Sequence, residues 1–183
     1  MTRSKPCWAY YSTWLDFPYW DHWILKDLSK SLLIFGCGYV GLELARRSLK
    51  LGWSVTAFTR NLQTAEKAEQ LGAKTVAGNL QDHDWWHRIS PGFDYVVNSV
   101  GAFSPSMEGY KQSYLMGMQS IVGWMKKNKI RCENLTFTSS SSVYPQQDGS
   151  LVNEESDNSG VSPRGQILLD AEKICLGAST ELA

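Results

Sequence analysis

The chain has 183 residues, of which 43% are hydrophobic, and this length and composition suit one compact domain with a substantial buried core. Its 18 basic and 18 acidic side chains cancel, so no overall positive field would draw the protein to nucleic acid or to an anionic membrane. The four cysteines form no CxxC pair, which argues against a zinc site and against a disulfide-stapled secreted domain.

The first 30 residues form an aromatic-rich extension, which holds four of the eight tryptophans of the chain. Charged side chains interrupt this segment at Asp16, Asp21, Lys26 and Asp27, a pattern that is not typical of a signal peptide. No apolar run approaches the roughly 20 residues that span a bilayer, so we expect a cytoplasmic protein. The extension shows no helical stripe, so we expect an irregular segment that packs locally or is partly disordered. The alternatives are that it binds a partner or lies at a membrane interface.

From Ser31 onward, short apolar strands alternate with amphipathic helices. We predict strands at residues 31–35, 54–58, 74–78, 94–98 and 134–139. We predict helices near residues 40–52, 63–72, 110–127 and 162–173, with a short Trp-rich helix before the fourth strand. This alternation implies parallel pairing through right-handed crossovers. Residues 31–183 should therefore form an α/β domain, a doubly wound parallel sheet in three layers with strand order 3-2-1-4-5.

The first and last of these helices carry clear signals at their ends. Gly52 should end the first helix. Its buried face is predicted to contain Val40, Leu44, Ala45 and Leu49. The last helix should begin with Ser162 as its N-cap and Pro163 in its first turn. Its buried stripe is predicted to contain Ile167, Leu168 and Ala171.

A glycine-rich turn, Gly36-Cys37-Gly38-Tyr39-Val40-Gly41, follows the first strand and opens a helix. In the G-x-G-x-x-G pattern, the first glycine permits a tight turn, the second lets the backbone approach a pyrophosphate and the third permits close helix packing. The helix N-terminus adds free N–H groups and the positive end of its dipole. The turn therefore predicts dinucleotide binding; the alternative is a glycine turn without a ligand. Cys37 is either an activated thiol or, as we expect, a small residue tolerated there.

The end of the second strand bears on the choice of dinucleotide. Roughly 20 residues after the glycine turn, an acidic side chain would bind the ribose hydroxyls of NAD. Thr59 and Arg60 stand there instead, with no carboxylate. Arg60 supplies a charged fork that matches phosphate geometry, and no acid repels a 2′-phosphate. We therefore expect NADP(H) to be favoured over NAD(H); the alternative is that Arg60 is a solvated surface residue.

Four motifs follow one another along the chain: LLIFGCGYVG, AGNLQD, NSVGA and FTSSSSVYP. Through them, residues 31–175 resemble the short-chain dehydrogenase/reductase superfamily, and within it the extended and atypical NAD(P)-dependent epimerase/dehydratase-like proteins. The resemblance implies a Rossmann-type fold and an oxidoreductase or epimerase that acts on a carbonyl or hydroxyl group of a small molecule or nucleotide sugar. It implies cofactor contacts at Gly36, Gly38, Tyr39, Val40, Gly41, Asn79, Leu80, Asn98, Ser99, Val100 and Gly101.

The implied active site is filled only in part. In the family a serine at the fifth strand orients the substrate oxygen, and a Tyr-x-x-x-Lys pair exchanges the proton. Ser140 aligns with that serine, but Arg164 and Leu168 stand at the tyrosine and lysine positions. Arginine, whose pKa lies above about 12, is not a general acid at neutral pH. Three alternatives stay open: Tyr144 donates the proton, Arg164 polarises a substrate oxyanion or carboxylate, or the protein binds nucleotide without turnover.

The resemblance also carries expectations about the rest of the protein. Family members continue through a C-terminal substrate region, so we expect a truncated chain; the alternative function is a non-catalytic dinucleotide-binding or interaction module. A homodimer is expected through the fourth and fifth helices, with Met116, Ile121 and Trp124 contributing. His83 and His87 have a zinc-ligand spacing, but no third ligand is evident and we expect no metal.

Overall fold

The computed structural model describes residues 30–182, so nearly all of the aromatic extension lies outside the described residues. Five strands form one sheet in the order β3-β2-β1-β4-β5, and every neighbouring pair is parallel. The strands are β1 (Ser31–Phe35), β2 (Ser54–Thr59), β3 (Lys74–Ala77), β4 (Tyr95–Asn98) and β5 (Asn134–Phe137). The predicted Rossmann-type fold and strand order are confirmed.

Helices connect consecutive strands and close the sheet. They are α1 (Tyr39–Lys50), α2 (Leu62–Gln70), α3 (Met107–Tyr110), α4 (Gly117–Lys127) and α5 (Pro163–Leu182). A π-helical segment, Lys111–Met116, joins α3 to α4, and two short 3₁₀ helices span His83–His87 and Ser141–Val143. Within residues 30–182, none of the helices is long and apolar enough to cross a membrane.

The core has two halves because side chains of β1 alternate between the two faces of the sheet. Leu33 and Phe35 point to one face, where Phe35 makes edge contacts at 5.2 Å with Trp85 and 6.2 Å with Trp124 between ring centroids. Leu32 and Ile34 point to the other face and pack with α1. This arrangement gives three layers, helix, sheet and helix.

The buried face of α1 differs from the prediction at its first position. Val40 is 54% exposed, whereas the buried residues of α1 are Gly41, Ala45 and Ser48. Small residues at this spacing let the helix lie close to the sheet, and the face that they form is turned away from Val40. Leu44 and Leu49 pack at its margin, as predicted.

The last helix, α5, begins where its sequence signals predict. Ser162 Oγ accepts a hydrogen bond from Gly165 N at 3.1 Å, and Pro163 is the first residue of α5. Ile121 and Trp124, which were expected at a dimer surface, are fully buried in the core of this chain, where the Trp124 ring lies 5.3 Å from the Trp85 ring between centroids. They are therefore wrong as dimer-contact residues, and a homodimer stays a prediction.

Candidate functional site

A cleft of about 290 Å³ lies at the carboxyl ends of β1, β2 and β4, beside the centre of the sheet. In a doubly wound sheet this edge is the general location of ligand sites, because the chain turns to opposite sides there. The loops after the first four strands and the π-helical segment line it. Nine of the residues predicted from the sequence to contact a cofactor line this cleft: Gly36, Gly38, Thr59, Arg60, Asn79, Leu80, Ser99, Val100 and Gly101.

The three glycines of the turn after β1 have separate structural roles. Gly36 has a φ of +83°, and a Cβ there would lie 2.6 Å from the Val100 backbone. A Cβ on Gly41 would lie 2.5 Å from the Gly36 carbonyl oxygen. By contrast, a Cβ on Gly38 would have no atom of residues 30–182 within 4 Å. The protein's own packing thus requires Gly36 and Gly41, whereas the space beside Gly38 is open.

Helix α1 presents an uncapped N-terminus to this space. Gly38 is its N-cap and supplies no side-chain hydrogen bond, and its first turn contains no acidic residue. The first N–H groups and the positive end of the helix dipole are therefore left for an anion. The open side of Gly38 and this helix end fit the pyrophosphate of a dinucleotide.

Four predicted contact residues do not line the cleft. Tyr39 is 93% exposed, Val40 points to solvent and Gly41 is buried beneath the turn. Asn98 is fully buried, and its Oδ1 accepts a hydrogen bond from Val100 N at 3.2 Å. The Asn98 side chain thus shapes the loop after β4 from below. Its amide nitrogen has no hydrogen-bond partner among the described residues.

Arg60 is the charged residue of the cleft: among the described lining residues, it alone carries a charge. Next to it, Thr59 Oγ1 accepts a hydrogen bond from Asn61 N at 3.3 Å. Asn61 Oδ1 accepts one from Thr64 N at 3.2 Å and so caps α2. Arg60 is exposed, and its guanidinium carbon lies 4.5 Å from the centroid of the Phe103 ring. Arg60 therefore places a positive charge at the end of β2, with no carboxylate among the described lining residues.

The π-helical segment Lys111–Met116 holds the loops around the cleft. Ser113 Oγ accepts a hydrogen bond from Phe103 N at 2.9 Å, and the Tyr114 hydroxyl accepts one from Ala102 N at 3.1 Å. Gln81 Nε2 donates to the Gln112 carbonyl at 2.8 Å. The loops after β3 and β4 are thus tied to one helical element. The predicted contacts omit six lining residues, which are Cys37, Phe58, Asn61, Thr64, Gln81 and Ser113.

Of these omitted residues, Asn61 had a readable signal, since an asparagine before an amphipathic run is a good helix N-cap. A π-helix has no comparable sequence signal. The widened helix that brings Ser113 to the cleft is therefore a finding of the structure.

The residues at the expected catalytic positions mainly contact the protein itself. Ser140 is exposed, caps the 3₁₀ helix Ser141–Val143 and accepts a hydrogen bond from Ser142 N at 3.3 Å. Arg164 donates a hydrogen bond to the Pro105 carbonyl, and its guanidinium carbon lies 5.1 Å from the centroid of the Tyr110 ring. Leu168 is fully buried.

The Cys37 thiol and the His83 ring, the other candidate groups from the sequence, make contacts that belong to the packing of the fold. Burial raises the pKa of the Cys37 thiol to about 11, so the thiol stays protonated at neutral pH. His83 stacks on Trp86 with 4.7 Å between ring centroids. Across residues 30–182, no three His, Cys, Asp or Glu side chains converge in a way that would hold a metal ion.

We compared the chain with protein families, with curated proteins and with solved structures. A sequence profile described as the NAD dependent epimerase/dehydratase family matches residues 32–166. UDP-glucose 4-epimerase 2 of Arabidopsis thaliana is 26% identical over 166 residues, which are 81% of this chain and 47% of that protein. The chain spans about half the length of this relative and of the two solved structures described next.

Two of the crystal structures that resemble this chain are epimerases. A UDP-glucose 4-epimerase matches with 25% identity and a TM-score of 0.71, over 84% of this chain and 48% of that chain. The UDP-glucuronic acid 4-epimerase from Bacillus cereus in complex with NAD matches with 19% identity and a TM-score of 0.67, over 83% of this chain and 53% of that chain. The second similarity shows the fold alone.

Proposed function

Because the chain belongs to the NAD dependent epimerase/dehydratase family, we propose that its cleft binds a nicotinamide adenine dinucleotide. The observation that carries the proposal is the turn after β1. A Cβ at Gly38 would meet open space, while Gly36 and Gly41 are each packed against backbone. A glycine that the fold itself does not require is explained by a ligand whose backbone contact it permits. The pyrophosphate would lie against Gly38 and the N-terminus of α1.

We further propose that NADP(H) is preferred over NAD(H). Arg60 brings a positive charge to the end of β2, and no carboxylate of the described chain lines the cleft to bind ribose hydroxyls or repel a phosphate. Asn61 and Thr64 lie beside it at the N-terminus of α2, where a helix dipole also favours an anion. Together these groups suit the 2′-phosphate.

For the chemistry, we propose an oxidoreductase or epimerase-like protein that acts on a carbonyl or hydroxyl group of a small molecule or nucleotide sugar. A bound nicotinamide supplies hydride transfer. Ser140 would hydrogen-bond the substrate oxygen. The proton exchange of a Tyr-x-x-x-Lys pair has no counterpart at Arg164 and Leu168, so turnover by this site would be slow.

One observation favours a second function, dinucleotide binding without turnover. The guanidinium of Arg164 is engaged by the Pro105 carbonyl and the Tyr110 ring, and the Leu168 side chain is part of the core. Both positions thus serve the fold. NADPH-dependent reduction of carbonyl compounds would support the first function, and a folded protein that binds NADPH but reduces none would support the second.

The Gly38→Val variant tests the assignment of the glycine turn. It should abolish NADPH and NADH binding, measured by isothermal titration calorimetry, because the added methyl groups fill the space for the pyrophosphate. The matched control is Gly177→Val on α5, where a Cβ also meets no described atom within 4 Å. The control should bind like the unmodified chain. Equal affinity of both variants, with both folded by circular dichroism, would discard the assignment.

A further inference from the structure

The contact between Arg60 and Phe103 joins two sides of the cleft. Arg60 follows β2, whereas Phe103 belongs to the loop after β4. The Phe103 ring is 61% exposed, yet the Arg60 guanidinium lies over it at 4.5 Å from the ring centroid. At this separation a cation over an aromatic face is held by the ring's negative quadrupole.

The other side of Phe103 is anchored. Its backbone N–H donates to Ser113 Oγ at 2.9 Å, and that hydroxyl belongs to a buried serine of the π-helical segment. The preceding residue, Ala102, is held by the Tyr114 hydroxyl of the same segment. The backbone that carries the Phe103 ring is therefore held in place by hydrogen bonds, and the Arg60 guanidinium packs against the ring.

The contact with the Phe103 ring restricts the Arg60 side chain. A long exposed arginine loses conformational entropy when it grips a ligand, and a side chain that is already ordered loses less. The guanidinium makes no hydrogen bond to any other described residue, so its N–H groups are available to a ligand. Asn61 and Thr64 line the same end of the cleft.

We propose that Phe103 is a positioning residue, which holds the Arg60 guanidinium in place for the 2′-phosphate and so sets the preference for NADP(H). This inference rests on the proposed binding of NADP(H). Phe103 acts through Arg60 and contributes nothing specific to NAD(H) binding.

The test compares the affinities of NADPH and NADH for the full chain and its variants by isothermal titration calorimetry. Phe103→Leu keeps an apolar side chain and removes the aromatic face, and Phe103→Tyr keeps the face. We expect Phe103→Leu to lower NADPH affinity about fivefold and to leave NADH affinity unchanged. Phe103→Tyr should change neither affinity. In an Arg60→Ala background, Phe103→Leu should have no further effect.

Each other outcome overturns the inference in a distinguishable way. If Arg60→Ala removes the NADPH preference and Phe103→Leu preserves it, Phe103 has no positioning role and the cofactor proposal stands. If Phe103→Leu strengthens binding of both nucleotides, the contact between Arg60 and Phe103 obstructs the cleft and does not position Arg60 for the 2′-phosphate. If the unmodified chain does not distinguish NADPH from NADH, the 2′-phosphate assignment fails and this inference fails with it.

Discussion

Arg164 joins the first turn of α5 to the loop that follows β4. Its guanidinium donates to the Pro105 carbonyl and lies over the Tyr110 ring. Arg164, which the family resemblance predicts at the position of the proton donor, thus joins the start of α5 to the segment 105–110. Four residues later, Leu168 fills the core and leaves no room for the charge of a lysine. Both residues therefore have structural roles.

The Arg164→Ala variant should lower the free energy of unfolding by about 1 kcal/mol, because one charge-assisted hydrogen bond and one ring contact are lost. Urea denaturation followed by circular dichroism measures this change. NADPH affinity should stay the same, since Arg164 does not line the cleft. Unchanged stability together with lost NADPH binding would instead make Arg164 a ligand contact.

At the scale of elements, the strands and their order follow from the sequence because each strand is a short apolar run bounded by glycine or polar residues. The π-helical segment is different. The apolar pattern near residues 110–127 predicts a helix but not the widened turns at Lys111–Met116, which arise from tertiary contacts with the loops. The face of α1 was misplaced at Val40 for a similar reason: small residues decide which side approaches the sheet.

The opposite edge of the sheet offers a pH-dependent contact between β1 and the residue before β4. Asp94 Oδ2 accepts hydrogen bonds from Ser31 N at 2.7 Å and from Ser31 Oγ at 2.8 Å. Burial raises the pKa of this carboxyl, but the Ser31 hydrogen bonds outweigh it and leave the pKa below the ordinary value of 3.8. The carboxyl therefore binds protons more weakly in the folded chain than in the unfolded chain.

It follows that Asp94 stabilises the fold fully above about pH 4 and that this contribution is lost as the pH falls through its lower folded pKa. Asp94→Asn should lower the free energy of unfolding by about 1 kcal/mol at pH 7 and by less at pH 3. Urea denaturation at both pH values measures the difference. An equal effect at pH 7 and pH 3 would show that the charge of Asp94 is unimportant.

For the molecule as a whole, a sheet of five parallel strands places loops from β1 to β4 around one cleft. The glycine turn, Arg60 and the loops after β3 and β4 were found from sequence because each follows an apolar strand directly. The placement of individual side chains could not be predicted from the sequence: Tyr39 points to solvent and Asn98 is buried. The contacts of Arg60 and Arg164 join segments distant in sequence, so they emerge only from the folded chain.

Dinucleotide binding in the cleft can be tested residue by residue with an amide NMR titration of the ¹⁵N-labelled full chain with NADPH. We expect saturable shifts of the Gly38 and Gly101 signals, since both residues line the cleft. Gly92, Gly149 and Gly160 do not line it, and their signals should stay in place. Absence of shifts at Gly38 and Gly101 in a folded sample, or shifts confined to the other three glycines, would contradict dinucleotide binding in this cleft.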